Sequence, residues 1–179
     1  MQGRLSSYIA RARDKPAADD AKEDEMGALE KLEELGLCLP DPPAPAGAYT
    51  RAVRAGDLVF VSGQLPMADG VMTCSGAVGG DDDDPTADDG YAAARLCALN
   101  ALGVLAAEGH DLDRVRIVRM TGFVCSAPGF TGQAQVVNGA SELMATVLGD
   151  AGVHARAAVG VSSLPLDAAV ELEVIAVVG

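Results

Sequence analysis

Residues 154–178 have the sequence HARAAVGVSSLPLDAAVELEVIAVV, and this stretch decides the fold of the chain. Two apolar, β-branched runs flank a loop that contains Leu164-Pro165, a pattern typical of two strands joined as a β-hairpin. The first run carries Arg156, and the second carries Glu171 and Glu173, which are two residues apart and therefore share one face. We expect a C-terminal hairpin that places an arginine opposite a carboxylate.

The arginine and the carboxylate have two interpretations. The planar guanidinium of Arg156 suits a small carboxylate ligand, because its donors bind two carboxylate oxygens at once. Glu171 could then hold a water or transfer a proton. Alternatively, the two residues form a surface cross-strand ion pair, which contributes less than about 1 kcal/mol. His154 and Glu173 are interpreted as neighbours of this pair, and the residues alone leave both interpretations open.

Apolar periodicity predicts the remaining elements of the domain. Helical spacing indicates helices over residues 23–35, 90–108 and 133–148, the second capped by Asp88-Asp89, and strand patterns indicate strands over residues 49–54, 58–62 and 115–124. The order predicts an α+β domain with two helices packed on one face of a mixed β-sheet. The other face is partly apolar, so we expect a second copy of the chain to cover it in a homo-oligomer.

The chain is predicted to contain one domain with an N-terminal extension. Residues 1–22 form a disordered or targeting tail, and residues 23–179 form the domain, with a leading helix over 23–36 and a proline-rich connector over 39–47. Residues 1–13 contain three arginines and no acid, a composition shared with mitochondrial transit peptides. The predicted location is the cytoplasm, or the mitochondrion if residues 1–13 act as such a peptide.

Composition disfavours several classes of partner. The net charge of −13 argues against nucleic acid, whose phosphates attract clustered Lys and Arg, and Trp is absent from the chain. The four cysteines form no CxxC pair, so no metal or cofactor is predicted. No uninterrupted apolar run reaches the roughly 18–20 residues of a membrane span. The acidic loop over 81–89 lacks the ligand spacing of an EF-hand and is predicted to be solvated.

Three separated segments resemble the YjgF/RidA family, also called endoribonuclease L-PSP. These segments are PAGAYTRA at residues 45–52, GDLVFVSGQLP at residues 56–66, and the C-terminal stretch with Arg156, Leu164-Pro165 and Glu171. Asn100 in the first long helix also fits this pattern. The leading helix, the proline-rich connector and VNGAS at residues 137–141 are similar to the longer branch of the family, often described as chorismate-mutase-like.

The resemblance implies a homotrimer whose sheets line a central barrel, with three ligand sites in the clefts between subunits. In the family, the residue that matches Arg156 binds the substrate carboxylate, and the residue that matches Glu171 positions the hydrolytic water. Tyr49 matches a residue that reaches the site, and Ser62-Gly63 match the segment that lines it. Ala158 stands where the shorter branch often carries Cys, so a backbone N–H would serve at that substrate-binding position.

The implied reaction is the hydrolysis of reactive 2-imino acids to 2-oxo acids and ammonia. A second hypothesis keeps the same cleft but not the turnover, so that the trimer is a binding or regulatory protein for a small carboxylate metabolite. A third hypothesis is the endoribonuclease activity for which the family is named, which the acidic chain disfavours. We favour the first of the three hypotheses.

Overall fold

The computed structural model describes residues 26–42 and 47–179. The described helices are α1 (Ala28–Glu34), α2 (Ala87–Ala107) and α3 (Gln133–Leu148), and the described strands are β1 (Ala52–Ala55), β2 (Leu58–Gln64), β3 (Met67–Ala68), β4 (Val71–Met72), β5 (Val115–Cys125), β6 (Ala155–Val161) and β7 (Val170–Val178). The predicted tail over 1–22, with its candidate transit peptide, lies outside the described residues. The first residues of the leading helix and residues 43–46 of the connector also lie outside them.

Five strands form one mixed sheet in the order β1-β2-β7-β5-β6, and β3 and β4 form a separate two-stranded ribbon. β5 and β6 are parallel, and the other neighbouring strands are antiparallel. The long helices α2 and α3 pack on each other and on this sheet. The predicted α+β fold with a mixed sheet is therefore confirmed.

The predicted C-terminal hairpin is wrong, because β5 lies between β6 and β7. Residues 162–169 carry the chain across the end of β5 instead of turning back beside β6. The backbone N–H groups of Cys125 and Ser126 donate to the Ala169 and Val161 carbonyls, at 2.9 Å each, so both sides of the crossing are tied to that end. Because β5 lies between β6 and β7, these two strands cannot be joined by the short turn of a β-hairpin.

Helix boundaries follow the capping chemistry. α2 begins at Ala87 rather than at residue 90, and Thr86 is its N-cap in place of the predicted Asp88-Asp89. The Thr86 hydroxyl oxygen accepts from the Asp89 N–H at 3.2 Å, while the Asp89 carboxylate accepts from the Thr86 N–H at 2.9 Å. This reciprocal capping box satisfies two N–H groups at the helix start. The Thr86 bonds also lower the pKa of the Asp89 carboxyl.

The lengths of the other elements mostly agree with the sequence patterns. α3 has the predicted bounds, and β5 ends one residue later than predicted. α1 begins at Ala28 and β1 at Ala52, both later than predicted. α2 is long and apolar enough to cross a bilayer by length and composition alone, but 61% of its most apolar window is buried, as expected of a core helix.

The described helices cover one face of the sheet and, within the described residues, leave the other face open. Along β7 the side chains of Val170, Leu172, Val174 and Ala176 are fully buried, and the residues between them are not. The open face and its edges expose large apolar side chains, namely Val53, Leu58, Phe60, Val118 and Val159. An exposed apolar sheet face of this kind is typical of a surface that binds another protein chain.

Gly139 allows α3 to pack closely against α2, so Gly139→Ala is expected to destabilise the domain. A Cβ at this position would overlap the backbone carbonyl of Tyr91 on α2. We expect the free energy of unfolding to fall by about 1–3 kcal/mol, as in other overpacked cores. In an open helix the same change would stabilise by about 0.5–1 kcal/mol.

Urea denaturation of the Gly139→Ala variant measures this change. Gln135→Ala is the control, because Gln135 is exposed on the same helix and its replacement should change stability by no more than about 0.5 kcal/mol. A Gly139→Ala variant more stable than the wild type would contradict the observed helix contact.

Candidate functional site

The Glu171 carboxylate lies directly against the backbone of Gly63. Glu171 is paired with Phe123 of β5, and Gly63 lies in the irregular pairing of β2 with β7 between Val61 and Gln64. A Cβ at Gly63 would overlap the Oε1 atom of Glu171. A side chain at this position would therefore displace the carboxylate, although the backbone conformation of Gly63 is an ordinary one.

The Glu171 carboxyl has an environment that favours its neutral form. Desolvation by burial, and then the charge of Glu173 on the same face of β7, raise its pKa above the usual range of a glutamate. Within the described residues no cation forms an ion pair with Glu171. Complete burial, and then the nearby Glu171 charge, raise the pKa of the Cys97 thiol well above its usual value. A carboxyl with a raised pKa holds a proton more readily than an ordinary glutamate, as suits a group that accepts and returns one.

Ser62 ties the segment that carries Tyr49 to the end of β2. Its hydroxyl donates to the Thr50 carbonyl at 2.7 Å, and its N–H donates to the Arg51 carbonyl at 2.9 Å. Tyr49 comes directly before Thr50 in the chain, and its side chain is 57% exposed. The structure therefore brings Gly63 and Glu171 into contact, with Ser62 beside Gly63 in the chain and Tyr49 beside Thr50, which Ser62 binds. We refer to these four residues as the Glu171 half-site.

Asn100 anchors the loop that leaves the Glu171 half-site. From α2, its Nδ2 donates to the Leu65 carbonyl at 2.9 Å and to the Met67 carbonyl at 3.1 Å. The Gln64 amide donates to the Ser62 carbonyl at 2.9 Å. The two Asn100 bonds connect the segment after β2 to α2, which explains why Asn100 accompanies the sequence motif over residues 56–66.

Arg156 lies elsewhere, on the edge strand β6 and against α3. Its register partner on β5 is Met120, which is fully buried under the helices. The guanidinium Nη1 donates to Asn138 Oδ1 at 2.7 Å and to Ser141 Oγ at 3.0 Å. Ala158 is half-buried beside Gly122 and packs against the core. We refer to Arg156, Asn138 and Ser141 as the Arg156 half-site.

Arg156 and Glu171 do not meet within one chain. β6 and β7 are separated by β5, and the β5 partners of the two residues, Met120 and Phe123, are three positions apart along it. With strands about 4.8 Å apart and a rise of about 3.3 Å per residue, their Cα atoms are separated by about 14 Å. They also point to opposite faces of the sheet, so the predicted contact across a hairpin is wrong.

The sequence profile of the family described as Endoribonuclease L-PSP matches residues 40–178. The chain belongs to this family. It is the family that the three sequence segments resemble, so that prediction is confirmed, whereas membership of the longer branch stays a prediction.

Similar proteins come from bacteria and from a protozoan parasite. Protein TCP17 of Trypanosoma cruzi is 46% identical over 144 residues, which cover 79% of this chain and 88% of that protein. A crystal structure of a protein of unknown function from Agrobacterium tumefaciens has a TM-score of 0.78 and 44% identity, covering 85% of this chain and 92% of that chain. A crystal structure of Escherichia coli TdcF with bound serine has a TM-score of 0.56 and 25% identity, covering 76% and 93%.

Two members of the Arg156 half-site were not predicted as site residues. Asn138 and Ser141 are three positions apart on α3 and were noted only as part of the segment that resembles the longer branch. Their polarity at helical spacing is a signal for a common partner, but the identity of that partner depends on the position of β6. Within residues 26–42 and 47–179, no group of three or more His, Cys, Asp or Glu side chains could hold a metal ion.

Proposed function

We propose that this L-PSP family chain hydrolyses reactive 2-imino acids to 2-oxo acids and ammonia. The observation that carries the proposal is the half-buried Glu171 carboxyl, which has a raised pKa and lies on the bare backbone of Gly63. Family membership supports a small-molecule-processing role. The serine bound to TdcF is an amino acid with a carboxylate, the group that Arg156 is suited to bind.

The reacting site is proposed to form between subunits of a homotrimer. Each half-site is incomplete alone, since one offers a cation and the other a carboxyl, and about 14 Å of sheet separates them. In a cyclic oligomer two different patches of the chain meet at every interface, so the Arg156 half-site of one subunit can face the Glu171 half-site of the next. The exposed apolar residues of the open sheet face, such as Phe60, supply a surface for such assembly.

In the proposed mechanism, the Arg156 guanidinium binds the substrate carboxylate and thereby orients the imine carbon. A water attacks that carbon, and Glu171 accepts one proton from the water as the C–O bond forms. Glu171 then returns the proton to the nitrogen, which gives an amino alcohol. Glu171 next accepts the remaining hydroxyl proton and transfers it to the nitrogen, so that the carbonyl forms, the C–N bond breaks, and both protons of the water leave in ammonia. Imines hydrolyse unaided, and placement of the water together with general base catalysis is a sufficient role for the protein.

The two alternative functions make different demands on the site. A binding or regulatory trimer needs the Arg156 half-site, but it gives no role to a carboxyl whose pKa is raised toward neutrality. An endoribonuclease needs a surface that attracts phosphates, and the net charge of −13 opposes this. The raised pKa of Glu171 is therefore the feature that favours hydrolysis.

Release of ammonia and 2-oxo acid from freshly generated 2-iminobutanoate tests the proposed activity. We expect release above the spontaneous rate and in proportion to the concentration of protein. Saturable binding of 2-oxobutanoate without any acceleration would support the binding module instead. RNA cleavage that persists after repurification under nuclease-free conditions would support the endoribonuclease.

Gly63→Ala is expected to lower kcat by displacing the Glu171 carboxylate. The added methyl group would occupy the place of Oε1, and a displacement of about 1 Å at a reacting group can reduce the rate about 10²-fold. The measurement is kcat for 2-iminobutanoate in the single variant and in the Glu171→Ala background. Because Glu171→Ala removes the overlap, Gly63→Ala should have no further effect there. Equal losses in both backgrounds would contradict the assigned contact.

A further inference from the structure

Among the described residues, only neutral oxygens hold the Arg156 guanidinium. Both of its hydrogen bonds leave from Nη1, to Asn138 Oδ1 at 2.7 Å and to Ser141 Oγ at 3.0 Å. Among the described residues no carboxylate forms an ion pair with Arg156, and no hydrogen bond uses its Nε or Nη2. The side chain is exposed, so the Nε–Nη2 edge is open to solvent and to a ligand.

Because Asn138 and Ser141 are neutral, they hold Arg156 without reducing its charge. A carboxylate partner would orient the guanidinium equally well, but it would neutralise the charge and compete with a ligand carboxylate for the same donors. An amide and a hydroxyl orient the plane while the positive charge remains available. Preorganisation of this kind increases affinity, because the side chain loses less conformational entropy on binding.

His154 determines the direction of the Ser141 hydroxyl. Its Nδ1 lies 2.6 Å from the Gly152 carbonyl, which can only accept, so Nδ1 carries the proton. In the neutral ring Nε2 is then an acceptor, and it lies 3.2 Å from Ser141 Oγ. With this tautomer of the neutral ring, the hydroxyl donates to His154, and a lone pair of the same oxygen remains for Arg156.

The carboxylate one turn beyond Asn138 on α3 is bound by another residue. Glu142 Oε2 accepts from the Tyr91 hydroxyl at 2.6 Å, and this hydrogen bond is the main cause of the raised pKa of Tyr91. The bond ties Glu142 to Tyr91 on α2, so this carboxylate already has a partner.

We propose that Asn138, Ser141 and His154 are positioning residues that orient Arg156 toward a small carboxylate ligand and leave its charge unneutralised. This inference rests on the proposed function for the identity of the ligand. These three residues do not react with the substrate, and their proposed role explains why α3 carries polar side chains at Asn138 and Ser141.

The decisive variant is Asn138→Asp, which keeps the size and shape of the side chain that holds Arg156 and adds a negative charge. We expect Asn138→Ala to raise both the KM for 2-iminobutanoate and the Kd for 2-oxobutanoate about tenfold, with kcat changed less than about twofold. Asn138→Asp should raise both constants at least as much, although it still holds the guanidinium. Ser141→Ala should resemble Asn138→Ala, and Ser141→Thr, which retains the hydroxyl, should restore most of the affinity.

Thr146→Ala is the matched control for loss of a hydroxyl on α3. The Thr146 hydroxyl donates to the Glu142 carbonyl within the helix and makes no bond to Arg156. It should leave KM and Kd unchanged. Wild-type affinity in Asn138→Asp, or equal effects of Ser141→Ala and Thr146→Ala, would overturn the positioning role.

The kinetic and binding measurements separate the two proposals. Wild-type protein that binds 2-oxobutanoate, measured by calorimetry, but releases no ammonia would contradict the proposed function, while the Kd values would still test the positioning residues. Wild-type turnover with unaltered constants in the Asn138 variants would contradict the positioning role alone. Wild-type protein without turnover or 2-oxobutanoate binding would overturn both.

Discussion

Arg156→Ala is expected to lower kcat/KM for 2-iminobutanoate by about 10²–10⁴-fold. The variant loses the fork that binds the substrate carboxylate, and each of its two charge-assisted bonds contributes about 1.5–3 kcal/mol. The free energy of unfolding should change by no more than about 0.5 kcal/mol, because the side chain is exposed and its partners in the described part of the chain are neutral. Steady-state ammonia release and urea denaturation measure the two quantities.

Arg54→Ala is the control for the loss of an arginine. Arg54 lies on the exposed hairpin of β1 and β2 and is 3.9 Å from Asp57, so its removal should leave turnover unchanged. Arg156→Lys keeps the charge without the planar fork and should fall between the wild type and Arg156→Ala. Turnover by Arg156→Ala equal to that of the wild type would contradict the role of this residue.

Glu171→Gln is expected to lower kcat by about 10²–10⁴-fold with little change in KM, since it removes the general base. Because burial and Glu173 raise the pKa of Glu171, the wild-type rate should fall as the pH decreases through that raised value. Glu173→Gln removes one of the two causes and should move the acid limb of the pH–rate profile to lower pH. An acid limb that is unmoved in Glu173→Gln would contradict this assignment.

The same raised pKa predicts a pH-dependent effect on stability. A carboxyl whose pKa is higher in the folded than in the unfolded state favours folding below the unfolded value, and this contribution is lost as the pH rises through the folded value. Ionised Glu171 therefore destabilises the domain at neutral pH. Glu171→Gln should raise the Tm at pH 7 and leave it nearly unchanged at pH 4. A Tm lowered at pH 7 would contradict the environment assigned to Glu171.

Periodicity predicted most of the elements but not how the last two strands are arranged. The apolar spacing of α3 and the β-branched run of β5 each identify one element, because the pattern follows from local geometry. Two strands in a hairpin and two strands with a third between them have the same local pattern. The difference depends on the bonds from the end of β5 to Val161 and Ala169, which are remote in sequence.

The candidate site was predicted in part for the same reason. The segments with Gly63, Arg156 and Glu171 were identified by resemblance, and the contact of Gly63 with Glu171 agrees with their joint role. The contacts of Arg156 with α3 could not be predicted, because they require β6 to be an edge strand parallel to β5. The assumed hairpin had placed Arg156 beside Glu171 instead.

Complementation between two inactive variants tests most directly whether imine hydrolysis occurs at a site shared by two subunits. Arg156→Ala and Glu171→Gln chains are co-expressed with different tags, the mixed oligomers are purified on both tags, and ammonia release from 2-iminobutanoate is measured. In every mixed trimer one interface of the three combines an intact Arg156 with an intact Glu171, so we predict that about one third of the wild-type activity returns. Mixed oligomers as inactive as either variant alone would contradict the shared site.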